Sequence, residues 1–265
     1  MAVNTRAQLQ HPNIVMRRSL AVAIDLGSAF TTISSLRSSV RTFDKTRPVG
    51  KEVLRKLLEL TQEAPSSFNL QPYKLIVVSS QEGKDALGQA MLGGNVGKVS
   101  DAPLTVVFAA DKDPARNARK LMELERAHGK SQEYVNGLPS KITFLLGKGW
   151  LSTKFRSVVT HLMSPLVAAP NIRSTDSTTE WAYKNTALAA AAYMYAATAH
   201  GLATCPMEGF DERRLCFSLG IDMERYSVPM VVSTGYSLEE KEYRKEGAAR
   251  GEKSRFSFDD MVEFK

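Results

Sequence analysis

Cysteine is scarce in this 265-residue chain, which has only Cys205 and Cys216. They form no C-x-x-C pair, so the sequence implies no disulfide framework and suits a reducing compartment. The four histidines (His11, His128, His161, His200) are scattered, and none partners the cysteines at ligand spacing. No zinc or iron site is expected from such spacing. Long apolar runs are missing too. The longest, Ala187 to Ala199, has 13 residues, and a bilayer span needs about 18 or more. No membrane span is expected. The chain lacks a G-x-G-x-x-G. Gly93 to Lys98 (GGNVGK) imitates a phosphate-binding loop, but Leu92 stands where its first glycine belongs and Val99 where its Ser or Thr belongs. No internal repeat or low-complexity tract is visible.

Acidic residues are absent from residues 1 to 24, which carry Arg6, Arg17 and Arg18 among small and hydroxylated residues. That composition fits a mitochondrial transit peptide and, as well, an N-terminal arm with no address and a cytoplasmic protein. A secretory signal fits less, because Asp25 interrupts the short apolar stretch Leu20 to Leu26. Residues 1–27 are therefore expected to be an extension and 28–265 one folded domain.

Hydrophobic residues make up 43% of the chain and charged residues 24%, as in ordinary globular proteins with one substantial core. The net charge of +7 admits nucleic acid, a membrane surface or a phosphate-bearing ligand as partner. Against nucleic acid, the cations are interspersed with acids, as in Lys112 to Arg126, and no basic run is interleaved with aromatics.

The periodicity predicts a helix from Ser28, with Ser28 as cap, carrying Ala29, Phe30, Ile33 and Leu36 on one stripe. Val53, Leu54, Leu57, Leu58 and Thr61 predict a second, amphipathic helix. Short β-branched runs predict strands at Lys74 to Ser79, Leu104 to Ala109 and Val228 to Thr234. Helices are predicted over Ala115 to His128, over Asp211 to Leu219 with Asp211 as cap, and over the alanine-rich Glu180 to Ala199. The small side chains all round that last helix let another helix approach closely and predict that it is buried. Cys216 reads as a core thiol.

Several short clusters carry chemistry. Arg37-Ser38-Ser39-Val40-Arg41, with Phe43 behind it, offers guanidinium forks and hydroxyl donors for an anion. Pro65 to Tyr73 (PSSFNLQPY) is a polar loop leading into a strand, suited to facing a ligand or to plain turn chemistry. Asn95-Val96-Gly97-Lys98 reads as a glycine-rich loop. Pro206-Met207-Glu208-Gly209-Phe210, at the mouth of a helix, would expose backbone N–H groups. Lys253-Ser254-Arg255 adds a small cationic group near the end of the chain.

In this order and spacing the clusters resemble the nitroreductase family over about Ser28 to Arg255. The loop matches the family's P-S-S-x-N-x-Q-P-[WY] element without a gap. The turn matches P-x-E-G-F, and the other clusters match R-[RHS]-S-x-[RK]-x-[FY], N-x-x-K and K-S-R. The resemblance implies an α+β fold with a central, mainly antiparallel sheet flanked by helices, in an intertwined homodimer. It implies FMN as cofactor, NADH or NADPH as hydride donor, and a nitroaromatic or quinone acceptor served by a ping-pong cycle. Arg37, Ser39, Lys253 and Arg255 would hold the FMN phosphate, with Ser38 among the other cofactor-binding residues. Arg41, Asn95 and Lys98 would face the pyrimidine edge and ribityl chain. The family often has Lys at the Arg41 position. Pro206 would shape the turn from which Glu208 and Gly209 present N–H groups, and Ser66, Ser67 and Asn69 would come from the second subunit. The alanine-rich helix would lie at the dimer core. No catalytic side chain and no metal is implied. Tyr134, Phe144, Trp150 and Phe155, within Glu133 to Ser164, are candidate walls of the acceptor pocket. A flavin reductase or a reductive dehalogenase would share the fold; a basic nucleic-acid-binding protein is the reading from another class.

Overall fold

Four apolar runs form one antiparallel sheet, β1 (Tyr73–Val78), β2 (Leu104–Asp111), β3 (Ala203–Met207) and β4 (Tyr226–Gly235), in the order β1-β2-β4-β3. The computed structural model describes residues 25–146, 158, 162, 178–238 and 253–265. β2 is buried at every position, which accounts for its unbroken apolar sequence: helices cover both faces of the sheet. Side chains alternate between the faces with the period of two that a strand imposes. Val107, Ala109 and Val231 pack with Leu87, Val99 and Leu215 on one side. Val106, Phe108 and Val232 pack with Leu57, Ala190 and Tyr193 on the other.

The helices are α1 (Leu26–Leu36), α2 (Lys51–Gln62), α3 (Gln81–Gly88), α4 (Asn95–Asp101), α5 (Ala118–Ala127), α6 (Gln132–Leu146), α7 (Thr178–Ala199), α8 (Glu212–Ser218) and α9 (Phe258–Met261). α2 buries Leu57 and Thr61 on the predicted stripe. α8 starts at Asp211, whose carboxylate accepts from Arg214 N–H, as predicted, and Gly220 closes it with φ 64°. α5, α6 and the start of α7 share a third cluster at the Asp111 end of β2, built on Leu70, Leu121, Ile142 and Trp181. Among the described residues no helix is long and apolar enough to cross a membrane.

Four local expectations change. α1 begins two residues earlier, capped by Asp25 rather than Ser28, because the longer carboxylate side chain reaches Gly27 N–H at 3.1 Å. Asn95 to Lys98 is not a loop but the first turn of α4, entered through Gly93 at φ 52°. β3 gave no strand signal because it is short and contains Pro206; an edge strand tolerates the missing N–H. α7 is buried along one side within the single chain and exposed on the other. Ala182, Ala189, Ala190, Ala196 and Ala197 are buried, whereas Ala187 and Leu188 are exposed. α1 buries no side chain at all, and Leu26, Phe30 and Leu36 are each more than half exposed.

Candidate functional site

The Arg37 to Phe43 segment is stitched to the free edge of β3. Arg37 ends α1, its N–H donating to Ile33 O at 2.9 Å. Ser39 pairs in parallel with Thr204, and Val40 N–H donates to Thr204 O at 3.0 Å. Phe43 pairs with Ser237 beyond β4 and is buried. The hydroxyls of Ser38 and Thr204 are each buried without a hydrogen-bond partner; Thr204 shares its face of the paired segments with Ser39, so Ser38 points to the other face. An unpaired buried hydroxyl costs about 1–3 kcal/mol, so Ser38, next to Arg37 in the chain, marks a spot suited to giving a hydrogen bond. Ser38 also lines a small cavity of about 150 Å³ with Leu202, Ala203 and Ser237. Lys253 Nζ donates to Ser34 O in the last turn of α1, which brings the Lys253-Ser254-Arg255 group to the helix end that carries Arg37. Arg255 is exposed, its guanidinium donating to Ser254 O at 2.7 Å.

Past the other end of β3, two clusters separated by more than a hundred residues meet. Leu92 N–H donates to Gly209 O at 3.0 Å, Asp211 N–H to Ala90 O at 2.7 Å, and Met91 pairs with Phe210. Asn95 Nδ2 donates to the same Gly209 carbonyl at 3.1 Å, and Asn95 Oδ1 accepts from Lys98 Nζ at 2.8 Å. One carboxamide therefore fixes both the turn and the ammonium group. Gly209 is required here: a β-carbon would lie 2.8 Å from Asn95 Nδ2. Thr204 and Gly209 are five residues apart, so the arginine segment and the Asn95–Lys98–Gly209 joint are separated by at most about 17 Å of extended chain along one strand.

The Pro65 to Tyr73 loop lies elsewhere. Asp111 N–H donates to Pro72 O at 2.8 Å, which places the loop at the far end of β2 from Leu104. Leu104 pairs with Thr234, which pairs with Thr204. Seven residues of strand, about 24 Å, therefore separate the loop from the arginine segment within one chain. The loop is held by contacts that the sequence did not suggest. Ser67 N–H donates to Asn185 Oδ1 at 2.8 Å, and Asn117 Nδ2 donates to Leu70 O at 3.2 Å. Ser66 Oγ accepts from Gln71 N–H at 2.9 Å. Asn69 gives Nδ2 to the buried Glu125 at 3.5 Å and accepts at Oδ1 from Gln71 Nε2 at 3.2 Å. Phe68, Asn69 and Gln71 all have left-handed backbone, a conformation that costs non-glycine residues about 1 kcal/mol or more each. The available signal for Asn185 was the single carboxamide in an alanine-rich helix.

Beside the loop a cavity of about 770 Å³ is lined by Asn69, Gln71, Tyr73, Asp111, Asn117 and Arg225 among others. Arg225 binds Asp111 through two nitrogens, at 2.7 and 3.1 Å. This hydrogen bonding raises the Arg225 pKa above the ordinary guanidinium value. Burial raises that of Tyr73, whose hydroxyl is another buried group with no partner. Cys216 is fully buried, and burial, then the nearby Glu212 carboxylate, push its thiol up to about 11. Of the candidate wall aromatics, Tyr134 and Phe144 are partly exposed on α6, whereas Trp150 and Phe155 lie outside the described residues. No cluster of potential metal ligands occurs among the described residues.

A family model described as "Nitroreductase family" matches residues 35–236. Bacillus subtilis MhqN, provisionally named an NAD(P)H nitroreductase, is 28% identical over 208 residues, covering 78% of this chain and 87% of its own. The crystal structure of ydfN from the same organism, provisionally named a nitroreductase, superposes with a TM-score of 0.69 at 24% identity, covering 90% of this chain and 100% of that one. A further provisionally named nitroreductase, from Exiguobacterium sibiricum and solved in complex with FMN, gives 0.67 at 20% identity over 89% of this chain and 97% of its own. These two structures share the α+β architecture described above.

Proposed function

Because this chain belongs to the nitroreductase family, we propose that it works as a homodimeric FMN enzyme that oxidises NADH or NADPH and reduces nitroaromatics or quinones. The chain is an NAD(P)H-dependent oxidoreductase, in line with the name of its relative MhqN. The observation that carries the finer reading is the grouping along β3 of a cationic, hydroxyl-rich end and a hydrogen-bonded Asn95–Lys98–Gly209 end.

The residues fit FMN. Ser38 has a buried hydroxyl in want of an acceptor, next to Arg37 in the chain and at the helix end to which Lys253 brings Arg255. A phosphate dianion satisfies such a set with charge-assisted bonds of about 1.5–3 kcal/mol each. Arg37, Ser38, Ser39, Lys253 and Arg255 hold that phosphate, and Arg41, Asn95 and Lys98 face the pyrimidine edge and ribityl chain. Pro206 shapes the turn from which Glu208 and Gly209 offer backbone N–H groups to the ring. When bound, FMN would supply two-electron redox chemistry between NADH or NADPH and the acceptor, in a ping-pong cycle. Lys98, held by Asn95, keeps positive charge where reduction adds negative charge, which favours electron uptake. No side chain of the chain is needed as a nucleophile.

Ser66, Ser67 and Asn69 serve the cofactor of the second subunit, because about 24 Å of strand separates them from Arg37 in their own chain. The exposed apolar residues of α1, with Leu188 on α7, are the surface that this pairing covers. Residues 1–24 are the import address of a mitochondrial enzyme; a fluorescent protein fused behind residues 1–27 and left in the cytoplasm would refute this.

The test uses purified full-length protein. Yellow protein that releases FMN on denaturation, is bleached by NADH or NADPH, and turns over with quinones or nitroaromatics is the expected result. Colourless protein that oxidises neither nucleotide would sink the reading.

A further inference from the structure

The loop between α2 and β1 turns through Phe68 with φ 58° and ψ 14°. Asn69 tolerates left-handed backbone through its short polar side chain, but a bulky aromatic there is an outlier. Glycine at 68 would make the same turn without strain, so the ring itself must account for the residue. The ring is not core: Phe68 is 37% exposed, whereas Phe43 and Phe108 are 2% and 0% exposed. Nor does the loop depend on it. Hydrogen bonds from Ser67 N–H to Asn185, from Gln71 N–H to Ser66 and from Asn117 to Leu70 O hold the turn on both sides. A strained, partly exposed aromatic on a rigidly pinned loop is the arrangement of a ligand-contacting residue.

We propose that Phe68 determines acceptor specificity, its ring forming a wall of the pocket over the second subunit's cofactor and favouring planar aromatic acceptors. The inference rests on the reading that Ser67 and Asn69 approach that cofactor, since Phe68 stands between them in the chain. A phenyl ring beside a planar acceptor gains an offset or edge-to-face contact worth roughly three- to tenfold in affinity. An octahedral metal complex such as ferricyanide, which takes electrons without stacking, gains nothing from it.

The experiment compares full-length wild-type enzyme with Phe68→Ala, Phe68→Gly and Phe68→Tyr. It measures bound FMN, thermal midpoint, and kcat/KM for a naphthoquinone and for ferricyanide with NADH. The naphthoquinone-to-ferricyanide ratio falls roughly fivefold in the Ala and Gly variants and is kept in the Tyr variant, while FMN stays bound. Phe68→Gly unfolds no lower than wild type, because the strain is gone. An unchanged ratio, or a glycine variant that melts lower and loses FMN, overturns the proposal, the latter by making the ring a packing residue. Colourless, inactive wild-type protein overturns the underlying reading and this inference with it; active wild type with an unchanged ratio overturns this inference alone.

Discussion

A β-carbon at Gly209 would meet Asn95 Nδ2 at 2.8 Å, and one at Gly235 would meet Pro103 Cδ at 2.4 Å and Cγ at 2.7 Å. The two clashes look alike, yet different neighbours have to yield. Asn95 can rotate away, but its amide then no longer fixes Lys98. Gly209→Ala is therefore expected to weaken FMN binding about tenfold, the equivalent of one lost hydrogen bond to a charged group, with little change in melting. FMN titration followed by fluorescence checks this, and unaltered affinity would dissociate the joint from the cofactor. At Gly235 a proline ring and the buried Phe43 cannot yield, so Gly235→Ala should cost roughly 2–3 kcal/mol as overpacking, read by urea denaturation. Cys216 gives a pH-dependent effect. Its folded thiol titrates at about 11 against an ordinary 9.0. Between these values the folded chain keeps a proton that the unfolded chain has lost, so rising pH favours unfolding. Wild-type stability should fall from about pH 9 towards pH 11 more steeply than that of Cys216→Ala, the slopes rather than the absolute values being compared. Parallel slopes would show that the thiol is not desolvated.

At the scale of elements, the Asp111 end of the sheet depends on one ion pair. The Asp111 side chain is 3% exposed and that of Arg225 30%. Asp111 N–H donates to Pro72 O, and Lys112 N–H to Arg225 O at 2.8 Å, so the pair ties the ends of β1, β2 and β4 beside the Pro65 to Tyr73 loop. Arg225→Ala leaves a buried carboxylate with no cation. Full burial would make that cost about 3–5 kcal/mol; the partial exposure of the arginine lowers the expectation to roughly 2 kcal/mol. A loss within the roughly 0.5 kcal/mol of an ordinary surface substitution would mean that the carboxylate is solvated. α2, α8 and three strands were legible because each has a local signature: an apolar stripe, a capping Asp, a β-branched run. β3 and α4 were not. Pro206 masks the first, and the second begins where glycines and asparagine read equally well as a loop.

At the scale of the molecule, two sets of exposed apolar residues share elements or neighbouring chain. Leu26, Phe30, Leu36 and Leu188 lie on α1 and α7, and Phe256, Phe258, Met261 and Phe264 lie near the C-terminus. Patches of this kind mark association surfaces. The proposal that each site is shared between two subunits makes a distinctive prediction for mixed dimers. Arg37→Ala and Asn69→Ala should each reduce FMN retention as homodimers. Co-expressed, they should recover about a quarter of wild-type FMN content, because half of randomly formed dimers are mixed and each carries one intact site. Flavin content of the mixture no higher than that of either parent would mean that both residues serve the same subunit's site.

The amino-acid sequence by itself determined which segments are apolar on one face, where helices are capped, and which residue types cluster into the Arg37, Pro65, Asn95, Pro206 and Lys253 motifs. These are properties of neighbours along the chain, and side-chain chemistry with backbone period expresses them directly. Only the tertiary structure decided that Ser39 lies against Thr204, that Asn95 grips Gly209, that Asn185 holds Ser67, and that the Pro65 to Tyr73 loop lies a strand's length from Arg37. The first three placements rest on contacts between residues more than a hundred positions apart and the fourth on the pairing of β1 with β2, and no local periodicity encodes such contacts.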